Sequence, residues 1–595
     1  MNELRSSSKT GGRFLVESIA GSSIFSREQF SEEHKEIEQL VRAFATDRIR
    51  SNKSELEKYN KELSLKLLKE MGELGLLGVD IPEEYGGMEL DKITSAIVVE
   101  SLSQGFCGSF TTTFSVQTGI GSLPIAWFGT KEQKEKYLPK IVAGEWVGAY
   151  GLTEPSAGSD ALSGITQAVL SKDGKYYILN GEKIFTTNGG WAEVFTVFAK
   201  VDGEKFSAFI VERNTPGFDI GAEEKKMGMK GSSTTSLIFK DAKVPAENLL
   251  FEVGKGATIA FNALNLGRFK LAAADLGGCK ALITESVKYA LERRQFGQPI
   301  AYFDAIKGKV ADMVIESFSS DSMIYRTIGL IQDEINSIDT EADDYYIQMG
   351  EAMERYAIEA SMAKVYGSEV YGRTADQAVQ ILGGYGFIEE YPMASAYRDA
   401  RIDRIWEGTN EINRQIITGY MMKKALMEDL PISESIRGID AFLTDDPGLS
   451  QFGILAHEAT ALETGKRLAL TLFHDALCEY GQDLRHEQQL TEILANIFTA
   501  LYTAESTIGR VHLMDQPDAE KIIPINIAKV FSAEVSINLL NLALTGMNGI
   551  YKGHLPSNVI DRLREFQKRM LPKIDIIRMK RSIADFVYSK QAYPF

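Results

Sequence analysis

Apolar positions recur with a helical period over the first part of the chain. Ser31-Glu32-Glu33 reads as an N-cap followed by acidic first-turn residues, and Ile37, Leu40, Val41 and Phe44 then fall on one helical face. Helical patterning continues through Leu63–Leu77 and an uncharged stretch from Ser101 to Thr130, with Pro82-Glu83-Glu84-Tyr85-Gly86-Gly87 as a loop. The period changes near Gly148. Tyr176-Tyr177-Ile178-Leu179, Val194-Phe195-Thr196-Val197-Phe198 and Phe206-Ser207-Ala208-Phe209-Ile210-Val211 are aromatic and β-branched, and Thr234 to Val244 adds a further strand. Asp173-Gly174, Asn180-Gly181 and Asp202-Gly203 read as hairpin turns between them. From Gly256 to about Lys424 the helical period returns. Asp429 to Gly448, with two prolines and several acids, reads as a linker, and Leu490, Ile493, Leu494, Ile497 and Leu501 open another amphipathic helix. The predicted architecture is mainly α with a middle antiparallel β domain, a small barrel or sandwich, and a further C-terminal α-helical domain. Its parts are an N-terminal extension (1–26), a helical domain (27–148), the β domain (149–250), a second helical domain (251–428), the linker (429–448) and a separate helical domain (449–595).

Composition narrows the chemistry. Hydrophobic residues at 44% and charged residues at 25% suit a soluble globular protein, and a net charge of −17 argues against nucleic-acid binding. Three distant cysteines suit a reducing compartment. The N-terminus has no apolar signal core, so a cytoplasmic location is expected; Ser101 to Thr130 carries too many polar residues for a lipid-facing span. None of the six histidines lies between residues 35 and 456. An active site there uses neither a histidine base nor a His-ligated metal, and no metal site is expected. Carboxylate chemistry with an organic cofactor is the natural alternative. The strand–GxGxxG–helix unit of a Rossmann loop is also missing. Glu407, between Trp406 and Gly408, is the carboxylate of interest: an aromatic wall desolvates it and makes it a better proton acceptor.

Four stretches resemble the acyl-CoA dehydrogenases, flavoproteins with an α–β–α order. They are Tyr150-Gly151-Leu152-Thr153-Glu154-Pro155-Ser156-Ala157-Gly158-Ser159-Asp160, Lys183-Ile184-Phe185-Thr186-Thr187-Asn188-Gly189-Gly190, Glu292-Arg293-Arg294-Gln295-Phe296-Gly297, and Gln380-Ile381-Leu382-Gly383-Gly384-Tyr385-Gly386-Phe387 with Arg398-Asp399 and Glu407-Gly408-Thr409 beyond it. The resemblance covers about residues 27–425. It implies FAD as cofactor, with Tyr150, Leu152, Thr153, Ser159, Phe185 and Thr187 at the flavin. Arg293, Gln295, Phe296, Gln380, Gly383 and Gly384 would reach FAD bound mainly by a neighbouring subunit. Thr409 and Glu411 complete the cofactor set. Several members carry glutamine at the Glu411 position, so an acid there acts through its backbone or a protonated carboxyl. Ser159, Asn265, Arg268 and Gly408 would contact substrate. Some members place the catalytic carboxylate at the position of Gly267; the glycine here leaves Glu407 as the base.

The implied reaction is α,β-dehydrogenation of an acyl-CoA thioester to the trans-2-enoyl-CoA, as in fatty-acid β-oxidation, with electrons passed to an electron-transfer flavoprotein. The extra C-terminal domain resembles the very-long-chain branch and implies a homodimer. Small residues from Ser115 to Gly121 favour medium to long chains. Two other readings compete: a flavin oxidase or monooxygenase on the same fold, and a non-catalytic assembly or scaffold relative. Arg562 to Arg581 carries eight basic and two acidic residues beside an apolar stripe (Leu563, Phe566, Met570, Ile574, Ile577). A packed helix with a solvated basic face is the favoured reading, and peripheral membrane contact the alternative.

Overall fold

The computed structural model describes residues 10–342, 344–445, 447–516 and 521–595. The first nine residues of the expected N-terminal extension, and Asp446 of the expected linker, lie outside them.

The N-terminal helices include α1 (Glu32–Phe44), α2 (Lys92–Ser103) and α3 (Gly108–Gln117). Ser31 caps α1 by accepting from the His34 N–H at 3.1 Å. Helices α2 and α3 are buried on nearly every side, which explains how the uncharged stretch dispenses with a polar face.

Eight strands follow: β1 (Gly148–Gly151), β2 (Gln167–Leu170), β3 (Tyr176–Thr187), β4 (Val194–Val201), β5 (Lys205–Glu212), β6 (Phe218–Glu223), β7 (Thr234–Pro245) and β8 (Leu249–Leu250). The order is β6-β7-β3-β2-β4-β5-β8, with β1 also paired to β4. The purely antiparallel expectation is corrected here, because β1 and β2 both run parallel to β4. Strand β1 enters from the helical domain and is buried throughout, so no alternation of polar and apolar positions betrays its direction. Asp202-Gly203 turns the β4–β5 hairpin with both residues at positive φ. Asn180-Gly181 forms no turn. It is a bulge inside β3 against β7, with Gly181 at φ 148 and the Asn180 amide bonded to Asp241.

The second helical region contains α4 (Gly256–Glu292), α5 (Asp304–Ile335), α6 (Ala357–Leu382) and α7 (Asn410–Leu426). Residues expected as a linker instead carry two short helices, Ile432–Arg437 and Ile439–Thr444. Leu430, Ile432 and Ile439 anchor them by burial in the core.

The last region comprises α8 (Ala456–Tyr480), α9 (Gln488–Leu513), α10 (Ile522–Ile550), α11 (Ser557–Met570) and α12 (Ile576–Lys590). Its apolar core is continuous with that of the preceding helices. Helix α10 is long and apolar enough to cross a membrane (mean hydropathy 1.4), yet half of that stretch is buried inside the protein. The basic segment's stripe divides at Pro572: Phe566 and Met570 are buried, whereas Ile577 is exposed.

A buried ionic cluster ties distant segments together. Asp321 on α5 meets Arg27 at 3.0 Å, Lys280 on α4 at 2.7 Å and Arg510 on α9 at 3.2 Å. Glu100 on α2 pairs with Arg27 at 2.5 Å and Lys280 at 2.9 Å, and Glu28 pairs with Arg510 at 2.8 Å. Although burial opposes ionisation, the surrounding cations hold the Asp321 carboxyl well below the usual range.

Candidate active site

Between a short turn at Ile402–Arg404 and α7 the chain forms a loop with two successive left-handed residues, Glu407 (φ 53) and Gly408 (φ 79). A glutamate seldom adopts that conformation, and here side chains hold it from below. The Asn413 amide donates to the carbonyls of Glu407 (3.4 Å), Gly408 (2.8 Å) and Thr409 (3.1 Å), and Lys364 on α6 donates to the Gly408 carbonyl at 2.7 Å. Thr409 caps α7 by accepting from the Ile412 N–H.

The Glu407 side chain lies against α4. A Cβ added to Gly267 would stand 2.6 Å from Glu407 Oε2, so α4 approaches the carboxylate where a side chain would displace it. Glu407 Oε2 is shielded from solvent and has no hydrogen-bond partner among the described residues. Desolvation pushes this carboxyl up to about 7, with Arg268 and Lys364 opposing the rise. Helix α4 at Gly267 therefore forms part of the shielding surface, and Nε1 of the neighbouring Trp406 is itself buried. Arg268 is buried one residue beyond Gly267. Its Nη1 donates to Asn265 Oδ1 at 2.6 Å, and its Nε lies 3.5 Å from the Glu407 carbonyl. Burial pushes the Tyr150 phenol on β1 well up, with the Glu407 charge adding to the rise, and its hydroxyl is shielded and unpaired. Tyr150, Asn265, Arg268, Glu407 and Gly408 thus come together.

The β domain contributes the adjoining face. Glu154 and Lys183 form a buried ion pair at 2.6 Å; Lys183 also donates to the Leu152 carbonyl at 3.2 Å. Glu154 accepts from the Ile165 N–H at 2.6 Å, and the Ile184 N–H donates to the Thr153 carbonyl at 2.9 Å. These bonds pin Leu152 and Thr153 to β3, which presents Phe185 and Thr187. Phe185 is left-handed (φ 56) and 62% exposed, an aromatic surface held open to a ligand. Ser159 stands exposed on the same loop.

Arg293, Gln295, Gly383 and Gly384 line a different cavity of about 600 Å³, with Tyr289 and Tyr385. The Arg293 guanidinium lies 5.5 Å from the Tyr385 ring centre. Neither Glu407 nor Phe185 lines it. Gln380 is exposed on the last turn of α6 and Phe296 is 92% exposed; neither belongs to the lining. Glu411 is exposed in the first turn of α7, where its own backbone N–H holds the carboxyl below the usual value.

These surfaces fit a flavin nucleotide. The β domain presents an exposed aromatic face at Phe185 and brings the unpaired Tyr150 hydroxyl to a shielded carboxylate, and a separate cavity offers a guanidinium and backbone at two glycines. Sequence reasoning missed Lys364, Asn413 and Lys183, whose partners lie on other elements or hold backbone. Among the described residues no cluster of His, Cys, Asp and Glu could hold a metal ion.

Comparison with known proteins agrees with this geometry. The chain matches the acyl-CoA dehydrogenase N-terminal domain over residues 31–145, the middle domain over 149–242 and the C-terminal domain over 254–422. A probable acyl-CoA dehydrogenase of Bacillus subtilis is 41% identical over 589 residues, 98% of each chain. The very long-chain specific acyl-CoA dehydrogenase of Rattus norvegicus is 40% identical over 472 residues, 74% of this chain and 69% of that protein. The crystal structure of an acyl-CoA dehydrogenase complexed with FAD from Bacillus anthracis superposes with a TM-score of 0.93 at 40% identity, covering 98% of this chain and 100% of that one. Butyryl-CoA dehydrogenase of Megasphaera elsdenii covers 66% of this chain and 99% of its own at a TM-score of 0.60 and 37% identity. The chain belongs to the acyl-CoA dehydrogenase family.

Proposed function

We propose that this protein is a FAD-dependent acyl-CoA dehydrogenase in which Glu407 takes the α-proton of a medium- to long-chain acyl-CoA. The observation that carries this reading is the shielded, unpaired Glu407 carboxylate seated against Gly267. A base pushed up to about 7 and freed of hydrogen-bond partners is matched to abstracting a weakly acidic proton near neutral pH. Bound FAD supplies the acceptor for the β-hydrogen, which leaves as hydride. Leu152, Thr153, Phe185 and Thr187 hold the flavin. Arg293 and the Gly383-Gly384 backbone hold the pyrophosphate and adenosine half bound by a neighbouring subunit. A homodimer is supported by the separation of those two surfaces within one chain.

The Glu407 carbonyl is held by Asn413 and Arg268; by the family resemblance the N–H of the same residue would meet the thioester oxygen and stabilise the developing enolate. Arg268 keeps Asn265 oriented and favours the ionised form of the base. The electrons go on to an electron-transfer flavoprotein, as the family resemblance implies.

The test is anaerobic bleaching of the flavin by a series of acyl-CoAs. Glu407→Gln should retain FAD and show no bleaching with any chain length; bleaching at the wild-type rate in that variant would remove Glu407 as the base.

A further inference from the structure

Lys364 has no role in that scheme, yet it is fully buried and touches the base loop. From α6 its ammonium donates to the Gly408 carbonyl at 2.7 Å and to Asn410 Oδ1 at 2.8 Å. Asn410 is itself fixed, its amide reaching Ser368 Oγ and Glu369 Oε1 at 3.1 Å each. One side of Lys364 therefore grips the turn that carries Glu407.

The other side faces two acids. Asp275 on α4 and Asp403 on the turn before the base loop are both buried. Both oxygens of Asp275 and one of Asp403 lack a donor among the described residues. The two carboxyls lie against each other, an arrangement that is stable when they share one proton. Burial, then the neighbouring Asp403, pushes Asp275 well up, and burial pushes Asp403 up to about 7. The pair then carries at most one negative charge near neutral pH, and Lys364 is the cation placed to meet it. Burial brings the Lys364 ammonium down to about 8, while Asp275, Asp403 and Glu407 favour its charged form and Arg268 opposes it. The charged groups facing Glu407 are Arg268 from α4 and Lys364 from α6, with the Tyr150 phenol from β1.

We propose that Lys364, seated between the Asp275–Asp403 pair and the Gly408 carbonyl, is a positioning residue that fixes the Glu407 turn and supplies a cation favouring the ionised base. This rests on Glu407 being the base. Without the ammonium the Gly408 carbonyl and Asn410 lose a donor, the left-handed turn loses one of the side chains that hold it, and Glu407 keeps only Arg268 as a facing cation.

The experiment compares FAD-loaded Lys364→Met, Lys364→Arg, Asn413→Leu and wild type by the rate of flavin bleaching and by kcat and KM across pH. Lys364→Met should lower kcat by roughly 10- to 100-fold with little change in KM, the scale of a small misplacement of a reacting group. It should also move the acid limb of the rate profile above its wild-type position, because a cation favouring ionised Glu407 is gone. Asn413→Leu removes the other, uncharged hold, so it should slow the reaction and leave the limb in place. Lys364→Arg should restore the limb and part of the rate. Matching kcat and limb in Lys364→Met and wild type would overturn the proposal. Should Lys364→Met fail to fold, Lys364→Gln carries the test: it keeps a donor for the Gly408 carbonyl but removes the charge, so the limb should still move upward, and an unmoved limb overturns the proposal. Bleaching of Glu407→Gln at the wild-type rate would instead defeat the assignment of Glu407, which separates the two failures.

Discussion

Replacing Glu407 with glutamine should stabilise the protein, and by an amount that depends on pH. The carboxyl has an ordinary value of 4.5 and is pushed up to about 7 in the folded chain. At about 1.4 kcal/mol per pH unit, keeping it ionised in the native state costs about 3 kcal/mol. A group raised on folding contributes its full stabilising share below its unfolded value, and that share is lost as pH rises through the folded value. Wild type should therefore lose stability between pH 4.5 and about 7 relative to Glu407→Gln, whose neutral amide has nearly the same shape, and the gap should level off above that. For 595 residues at about 2 cal/mol/K each, 3 kcal/mol corresponds to about 3 °C in melting temperature. Calorimetry of both FAD-loaded proteins from pH 5 to 8.5 measures it. The variant should melt within about 1 °C of wild type at pH 5 and about 3 °C above it at pH 8.5. An equal gap at every pH would refute the reasoning, because it would mean that ionisation of Glu407 has no cost in the fold.

Two further substitutions test the surroundings. Gly267→Ala places a methyl group 2.6 Å from Glu407 Oε2, so the carboxylate must shift; turnover should fall on the order of 100-fold at unchanged FAD content, measured by steady-state kinetics and the flavin-to-protein absorbance ratio. Lys183→Met strands the Glu154 carboxylate in the β domain and should cost roughly 3–5 kcal/mol, the penalty for an unpaired buried charge. Melting and FAD retention report it; wild-type values for both would show that the pair does not pin the Leu152–Thr153 loop.

The periodic elements were legible because burial on one face repeats along the sequence. Val41 and Phe44 of the first helix point inward as their spacing predicts, although Leu40 of the same stripe is 42% exposed. Glu407, Arg268 and the flavin-facing loops were legible through motif resemblance. What stayed hidden depends on distance along the chain. Lys364 and Lys183 look like ordinary solvated lysines in sequence, and only the packing of α6 and β3 buries them beside their partners. The parallel pairing of β1 and β2 with β4 was illegible for a related reason, since period-two patterning identifies a strand but not its neighbour or direction. Asn180-Gly181 carried a turn signal that the local sequence could not separate from a bulge.

The cluster around Asp321 also bears on when the molecule can finish folding. Its cations come from Arg27, Lys280 and Arg510, and Lys280 stands 5.4 Å from the Tyr593 ring. During synthesis the dehydrogenase helices leave the ribosome before Arg510 exists, with Asp321 holding only the Arg27 guanidinium and Glu28 still without that of Arg510. Their interior can reach its final charge balance only once translation has passed residue 510. A chain stalled before that point presents the cell with an apolar face that the last helices would cover and a centre still electrostatically open, which is the form a chaperone or protease would meet.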